Sequence, residues 1–295
     1  MDDTPASGSD SRGPPPGTAA ETSGARETGI VFSSERDADA ARGRIIRFIR
    51  ETVAAADAEG VVVNMRGGVD STVTAALAVE ALGPEHVYGL VLPCNKLGEP
   101  SARNAETLAR ALDIEHDTVH LRPLFAQFGA VLDDQFGVHD DPISTERLIA
   151  RLRTTLTYLA ADSRDALVCG TTNRSDRLLG SVVEYGGGDA DLSPISHLYR
   201  TDIRVMGELL DVPEFATDSF RDAGLPPGDA DGPDITDERL DRVLHLYADD
   251  GLDDEAIANE TDVDGQVVSA LCARYDRAER ERRLPRRLDP SESPR

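Results

Sequence analysis

Cysteine, lysine and aromatic residues are scarce in this sequence, and tryptophan is absent. The three cysteines, Cys94, Cys169 and Cys272, form no CxxC pair, which argues against a disulfide framework and is typical of a reducing compartment. No apolar run reaches the roughly 18 residues of a membrane-spanning helix, and the first residues lack the pattern of a secretion signal. The sequence therefore predicts a cytoplasmic protein with no membrane partner.

Basic residues are also few, since 31 Lys and Arg stand against 55 Asp and Glu, for a net charge of −24. Such a surface repels a phosphate backbone, so we expect no nucleic acid partner. Abundant carboxylates with little lysine are typical of a cytosolic protein from a salt-loving organism. The charge thus indicates a high-salt environment and does not indicate an activity.

The composition divides the chain into a folded part and two tails. Residues 1–35 are rich in Gly, Pro, Ser and Thr and poor in apolar side chains, which predicts disorder. We expect one folded domain over residues 36–286. A second disordered tail is predicted for residues 287–295.

Apolar residues at helical spacing alternate along the domain with short β-branched runs. The predicted helices cover 38–56, 71–82, 101–112 and 146–161, and the predicted strands cover 60–65, 87–93, 117–121 and 166–170. This alternation predicts an α/β fold, a doubly wound parallel sheet with helices on both faces. Three amphipathic segments after residue 234 predict a C-terminal helical extension.

The segment NMRGGVDST (64–72) lies between a predicted strand and a predicted helix. Gly67 and Gly68 allow a tight turn that approaches a ligand without a Cβ in the way, and free N–H groups at a helix N-terminus attract anions. The segment lacks the Lys of a Walker A loop and the spacing of GxGxxG. It predicts a phosphate-binding turn, although an ordinary glycine turn with Asp70 capping the helix is the alternative.

The same segment resembles the SGGxDS loop of the N-type ATP pyrophosphatases, with Arg66 in place of the first Ser. Residues 168–214, VCGTTNRSDRLLGSVVEYGGGDADLSPISHLYRTDIRVMGELLDVPE, resemble the core of the ammonia-dependent NAD synthetases. Residues 150–160 and 252–285 resemble two further segments of that family. Together the resemblances cover most of residues 40–285.

The resemblance implies an enzyme that uses ATP and Mg²⁺ to amidate deamido-NAD with ammonia. In the family, the nicotinate carboxylate attacks the α-phosphate of ATP, pyrophosphate leaves, and ammonia then displaces AMP from the acyl adenylate. The family also implies a homodimer. Both reacting groups must be aligned while departing phosphate charge is neutralised.

The resemblance also implies roles for individual residues. Asp70 and Asp176 would be catalytic and would bind Mg²⁺. ATP would be held by Arg66, Gly67, Gly68, Asp70, Ser71, Thr171, Arg200 and Asp222. Deamido-NAD would be held by Arg151, Glu184 and Asp191. The alternative for Asp176 is a solvated acid in a very acidic protein, and the alternative for Arg151 is a surface ion-pair donor, as for Arg153.

Several residues depart from the family pattern where ligands would bind. Glu184 stands in place of a Lys and Asp222 in place of a Ser, so negative charge is added near an anionic ligand. Arg66 either grips phosphate with its planar guanidinium or blocks the turn by its size. Two further hypotheses follow: a degenerate paralogue that binds a nucleotide or a partner without catalysis, and an ATP pyrophosphatase that acts on another carboxylate.

Overall fold

The computed structural model describes Phe32 and residues 34–94, 98–132, 142–180, 190–217 and 235–281. Its elements, in chain order, are α1 (Glu35–Ala55), β1 (Gly60–Asn64), α2 (Val69–Leu82), β2 (Val87–Val91), α3 (Glu99–Ala111), β3 (Glu115–Thr118), α4 (Arg122–Leu132), α5 (Pro142–Asp162), β4 (Ala166–Cys169), α6 (Arg174–Leu178), α7 (Arg200–Leu209), α8 (Glu214–Thr217), α9 (Asp237–Ala248), α10 (Asp254–Glu260) and α11 (Gly265–Glu281).

The four strands form one parallel sheet in the order β3-β2-β1-β4. Val62 of β1 pairs with Tyr88 of β2 on one side and with Val168 of β4 on the other. The predicted parallel sheet is confirmed. Because β2 and β3 lie on one side of β1 and β4 on the other, the strand order reverses at β1.

Helices cover both faces of the sheet, and the side chains of β1 contact the helices on each face in turn. Val61 and Val63 point into a core shared with α1, α2, α3 and α7, whereas Val62 points into a second core that includes residues of α5. Successive side chains of a strand face opposite ways. A strand that is apolar at every position is therefore buried on both sides, as predicted.

The helices after residue 234 pack together and onto α6. Leu244 of α9, Ile257 of α10 and Leu271 of α11 are buried with Leu178 and Leu179 in a third core. The predicted C-terminal helical extension is thus confirmed. Its core lies beside the end of β4, which brings α9 close to the residues that follow that strand.

The structure differs from two of the predicted boundaries. β3 ends at Thr118, whereas the apolar pattern predicted a strand over 117–121, because this edge strand is itself polar and half exposed. The second boundary is that of the N-terminal tail predicted over residues 1–35, because Phe32 within it is 7% exposed and its N–H donates to Asp202 Oδ1 at 3.3 Å.

Within the described residues, no helix is long and apolar enough to cross a membrane.

Candidate functional site

The reversal of strand order at β1 opens a crevice between the carboxyl ends of β1 and β4. Ligands of doubly wound sheets bind at such a switch point, because the loops after the two strands diverge there. The glycine segment follows β1, and the segment Gly170–Asn173 follows β4. The two segments that the sequence singled out therefore face each other.

The glycine turn is held by its own hydrogen bonds. The Arg66 N–H donates to Ser71 Oγ at 3.2 Å, and the Ser71 hydroxyl donates to the Gly68 carbonyl at 3.1 Å. Gly67 has φ +79°, and a Cβ there would lie 2.1 Å from the Ser101 carbonyl oxygen of α3. Gly67 is thus required by the fold, because α3 packs against the turn. Gly68 is the N-cap of α2.

Asp70 and Asp176 meet at one amide group. Asn173, which is fully buried, donates from Nδ2 to Asp70 Oδ1 at 2.9 Å and to Asp176 Oδ2 at 3.0 Å. Its Oδ1 accepts the Asp176 N–H at 2.8 Å as the N-cap of α6. One side chain therefore starts a helix and holds two carboxylates from opposite sides of the crevice.

The pKa of Asp70 is raised to about 7, first by burial and then by the negative charge of Asp176, against the Asn173 hydrogen bond and the charges of Arg200 and Arg66. Two carboxylates this close oppose each other's ionisation, and a cation between them would reverse that effect. Hard carboxylate oxygens are the ligands that Mg²⁺ prefers. Asp70 and Asp176 therefore fit a Mg²⁺ site. The described residues contain no group of three or more His, Cys, Asp or Glu placed to hold a metal, so substrate phosphate or water would complete the coordination.

Arg200 is already paired within the protein. It is 6% exposed, and it donates to Asp176 Oδ1 from Nη2 at 2.5 Å and to Asp237 Oδ1 from Nη1 at 3.3 Å. These two carboxylates raise the pKa of the guanidinium although burial lowers it. In this structure Arg200 holds Asp176 in place, and only the N–H donors left over from these bonds would be available to a phosphate.

Two other predicted ATP and dinucleotide residues lie at the end of β4. Thr171 is half-buried in the segment that leads to Asn173. Asp191 is exposed, and its Oδ2 accepts the Val168 N–H at 2.7 Å. This bond ties the chain to the edge of β4. The Asp191 carboxylate therefore has a structural partner at a position expected to contact the dinucleotide.

A second cleft of about 510 Å³, counting space that merges with solvent, opens between the ends of β1 and β2. Its lining includes Arg66, Ser101 and Arg153. Burial and the charge of Arg66 lower the pKa of Arg153 to about 10. The Arg153 Nε donates to the Leu92 carbonyl at 3.3 Å, so the side chain is anchored at the cleft.

Arg151 does not line this cleft and is exposed on α5. Two positions along a helix correspond to a rotation of about 200°, so Arg151 and Arg153 face opposite ways. Arg153 lines the cleft, whereas the prediction that Arg151 contacts the dinucleotide stays a prediction.

Two predicted ligand residues, Glu184 and Asp222, lie outside the described residues. The predictions that concern them stay predictions. The site as described consists of the glycine turn, the Asp70–Asn173–Asp176 group and the Arg200 pair.

The sequence interpretation assigned no role to Asn173, Asp237 or Asp241. A signal for Asn173 was present, because Asn followed three residues later by an acid is an N-cap pattern. No local pattern marks Asp237 or Asp241, which come from the C-terminal helices more than 60 positions after Asn173. Their contacts exist only because α9 packs beside α6 and α7.

A parallel sheet covered on both faces, with a glycine turn and two facing carboxylates at its switch point, defines the class: a doubly wound α/β protein with a candidate phosphate site. A family model described as NAD synthase matches residues 42–285. The NH(3)-dependent NAD(+) synthetase of Methanosarcina mazei is 34% identical over 252 residues, which cover 84% of this chain and 97% of that protein. The chain belongs to the NAD synthase family.

Two further comparisons agree with this membership. The NH(3)-dependent NAD(+) synthetase of Halobacterium salinarum is 34% identical over 246 residues, 83% of this chain and 91% of that protein. The solved structure of the NH3-dependent NAD synthetase from Campylobacter jejuni superimposes with a TM-score of 0.71 at 23% identity, over 85% of this chain and 99% of that chain. The solved structure supports the fold, and the sequence relatives support the family.

Proposed function

We propose that this protein catalyses the ATP-dependent amidation of deamido-NAD with ammonia, releasing AMP and pyrophosphate. The observation that carries the proposal is the meeting of Asp70 and Asp176 on Asn173 beside a glycine turn. Relatives of this chain are named NH(3)-dependent NAD(+) synthetases, and their names supply the product and the nitrogen donor.

The phosphates of ATP bind at the glycine turn. The N-terminus of α2 begins at Gly68, where unpaired N–H groups and the helix dipole favour negative charge. Arg66 is exposed at the entrance of this turn, and a guanidinium binds two phosphate oxygens at once. Arg66 therefore grips the pyrophosphate portion in our proposal.

Asp70 and Asp176 hold Mg²⁺. When bound, this ion supplies positive charge that offsets the negative charge growing on the departing pyrophosphate. Asn173 orients both carboxylates by its hydrogen bonds, and Arg200 orients Asp176. The buried amide and guanidinium allow little rotation of Asp176, which keeps the site organised before ATP arrives.

The reaction follows from the weak electrophilicity of a carboxylate. The nicotinate carboxylate oxygen bonds to the α-phosphorus, and the bond from that phosphorus to the β-phosphate oxygen breaks. The acyl adenylate then loses AMP when the lone pair of ammonia attacks its carbonyl carbon, and a proton is released. We place this reaction in the cytoplasm, where thiols such as the buried, unpaired Cys94, Cys169 and Cys272 stay reduced.

The functional unit in this proposal is a homodimer. Leu124, Phe128 and Val131 occur at spacings of four and three along α4 and are exposed, Val131 by 78%, and Leu159 of α5 is exposed by 57%. A row of exposed apolar side chains on one helix is characteristic of an interface. A Val131→Arg variant should become monomeric in light scattering, and a monomeric wild-type protein would exclude the dimer.

The proposal is tested by supplying purified protein in molar KCl with ATP, Mg²⁺, deamido-NAD and ammonium. Equimolar AMP and NAD are expected. Turnover to both products should stop when ammonium is omitted from the reaction. Release of AMP without NAD in the full mixture would contradict the amidation. No AMP under any of these conditions would contradict ATP activation.

A pair of matched variants ties the activity to the site. Asp176→Asn removes a charge that Arg200 and Asn173 orient, whereas Asp39→Asn removes a charge from a side chain that is 67% exposed on α1. Asp176→Asn should reduce kcat at least about 100-fold, comparable to loss of one preorganised charge-stabilising group. Asp39→Asn should leave kcat unchanged.

A further inference from the structure

Asp241 of α9 is a buried carboxylate outside the group that we assign to ATP and Mg²⁺. It is 1% exposed. Its Oδ1 accepts the Ser175 hydroxyl at 2.5 Å. Its Oδ2 accepts two hydrogen bonds from Thr201, from the N–H at 2.9 Å and from the hydroxyl at 2.8 Å.

The Ser175 hydroxyl oxygen is bonded on its other side as well. It accepts a hydrogen bond from the backbone N–H of Arg200 at 3.0 Å. Ser175 lies in the first turn of α6, and Arg200 and Thr201 are the first residues of α7. One carboxylate from α9 therefore joins the beginnings of two other helices.

The joined residues stand directly beside the paired side chains of the site. Ser175 precedes Asp176, and Thr201 follows Arg200. The Asp176–Arg200 pair itself has a contact of 2.5 Å. Asp241 thus bonds to the residue next to each partner of this pair.

We propose that Asp241 is a positioning residue that sets the relative placement of Asp176 and Arg200, and through them the geometry of the Mg²⁺ and phosphate site. The inference rests on the proposed function. Docking of α9 alone gives no reason for a carboxylate here, because Leu240, Val243 and Leu244 already anchor this helix in an apolar core. A buried carboxylate is costly to desolvate, so its three hydrogen bonds serve orientation.

The test compares two replacements of Asp241. In Asp241→Asn the amide oxygen still accepts the Thr201 N–H, and the amide NH₂ donates to Ser175 Oγ, which keeps accepting from Arg200. Asp241→Leu keeps the branched shape of the side chain, is larger, and makes no hydrogen bonds. Because loss of a group that orients a metal ligand lowers activity or metal affinity about 10–100-fold, Asp241→Leu should lower kcat and raise the half-saturating Mg²⁺ concentration by such factors. In Asp241→Asn, kcat and the half-saturating Mg²⁺ concentration should both stay within about threefold of the wild-type values.

Leu244→Ala is the control for stability. Leu244 is on the same helix, is 1% exposed, and packs in the apolar core of the C-terminal helices. This variant should lower Tm without changing the Mg²⁺ requirement. The positioning role is wrong if Asp241→Leu lowers Tm as Leu244→Ala does while kcat and the Mg²⁺ requirement stay at wild-type values.

A second readout does not depend on activity. In crystal structures without ligand, Asp241→Leu should lose the Asp176–Arg200 contact, and Asp241→Asn should keep it. If Asp241→Leu retains the contact, the positioning role of Asp241 is wrong, whether or not the wild type makes NAD. If the wild type makes no NAD, only the proposed function is overturned. If Asp241→Leu does not fold, Ser175→Ala removes the shared hydroxyl and is judged by the same contact.

Discussion

Asn173 shows how much a single side chain contributes to this site. Its amide hydrogens reach one oxygen of Asp70 and one of Asp176, at 2.9 and 3.0 Å. Without this amide, two carboxylates would face each other in a poorly solvated crevice, where their repulsion is strongest. The geometry of the acidic pair therefore depends on a neutral residue.

Arg66 is the residue at which gripping and blocking of phosphate predict opposite results. If its guanidinium grips phosphate, Arg66→Ser should weaken ATP binding in the presence of Mg²⁺ by about 1.5–3 kcal/mol, the usual contribution of a hydrogen bond to a charged group. Calorimetric titration measures the change. Arg103→Ser removes the same charge from an exposed position on α3 and should leave affinity unaltered. Equal or tighter ATP binding by Arg66→Ser would favour blocking.

Gly67 should tolerate no side chain. Alanine would place its Cβ 2.1 Å from the Ser101 carbonyl oxygen at φ +79°, so Gly67→Ala should lower the free energy of unfolding by about 3 kcal/mol or more. Gly43 of α1 has nothing within 4 Å of an added Cβ. Gly43→Ala should therefore stabilise the protein by about 0.5–1 kcal/mol. Denaturant titration of both variants checks the pair, and a neutral Gly67→Ala would refute the described packing of α3 on the turn.

At the scale of elements, the site is assembled by four helices that begin beside it. α2 contributes Asp70 and α6 contributes Asp176. α7 contributes Arg200, and α9 contributes Asp237, which accepts from both Arg200 and Arg204. The first turns of these helices hold acids where the helix dipole favours negative charge. Their convergence explains why a crowded group of charges remains in order.

The link between α9 and the other two helices should make stability depend on pH. Burial raises the pKa of Asp241 to about 7, against the hydrogen bonds from Ser175 and Thr201, which lower it. The usual Asp pKa is about 3.9, so the folded state holds this proton more tightly. The resulting stabilisation is complete below about pH 4 and is lost as the pH rises through about 7.

Chemical denaturation of wild type and Asp241→Asn between pH 4 and pH 8 isolates this effect, because asparagine does not titrate. The unfolding free energy of the wild type should fall by about 2–4 kcal/mol more than that of the variant over this range. A difference that stays constant with pH would show that Asp241 does not titrate there.

At the scale of the whole molecule, the dominant feature is the net charge of −24. Many carboxylates on one surface repel each other, and this repulsion opposes the compact state. Salt shortens its range, since the Debye length falls from about 10 Å at 0.1 M to about 3 Å at 1 M. The buried pairs around Arg200 are much less screened, so the site should keep its contacts at high salt.

The melting temperature should therefore rise with KCl from 0.1 M to molar concentrations in the absence of ligand. NaCl at equal ionic strength should act in the same direction, because screening depends on ionic strength. Differential scanning calorimetry measures the trend. A melting temperature that is unchanged or lower in molar KCl would exclude adaptation to salt as the reason for the acidic surface.

The strands β1, β2 and β4 and the helices α2 and α5 were predictable because their apolar residues recur strongly enough to dominate local preference. The predicted start of β3 is two residues later than the observed one, because an edge strand exposed to solvent needs no apolar pattern. At the site, Gly67 and Asp70 stand out in a short segment. Arg153 lines the second cleft while Arg151 is exposed, and this difference depends on the orientation of α5, which sequence spacing alone does not give.

The sequence by itself determined the alternation of helices and strands, the glycine turn and the acidic charge, because each is set by neighbouring residues or by composition. Only the tertiary structure decided that Asp176 turns toward Asp70 through Asn173, and that Arg200 is committed to two carboxylates. Only it showed that Asp241 joins α6 to α7. These contacts span 24 to more than 100 positions along the chain, and such distances are closed by packing of the sheet and helices, which no local pattern records.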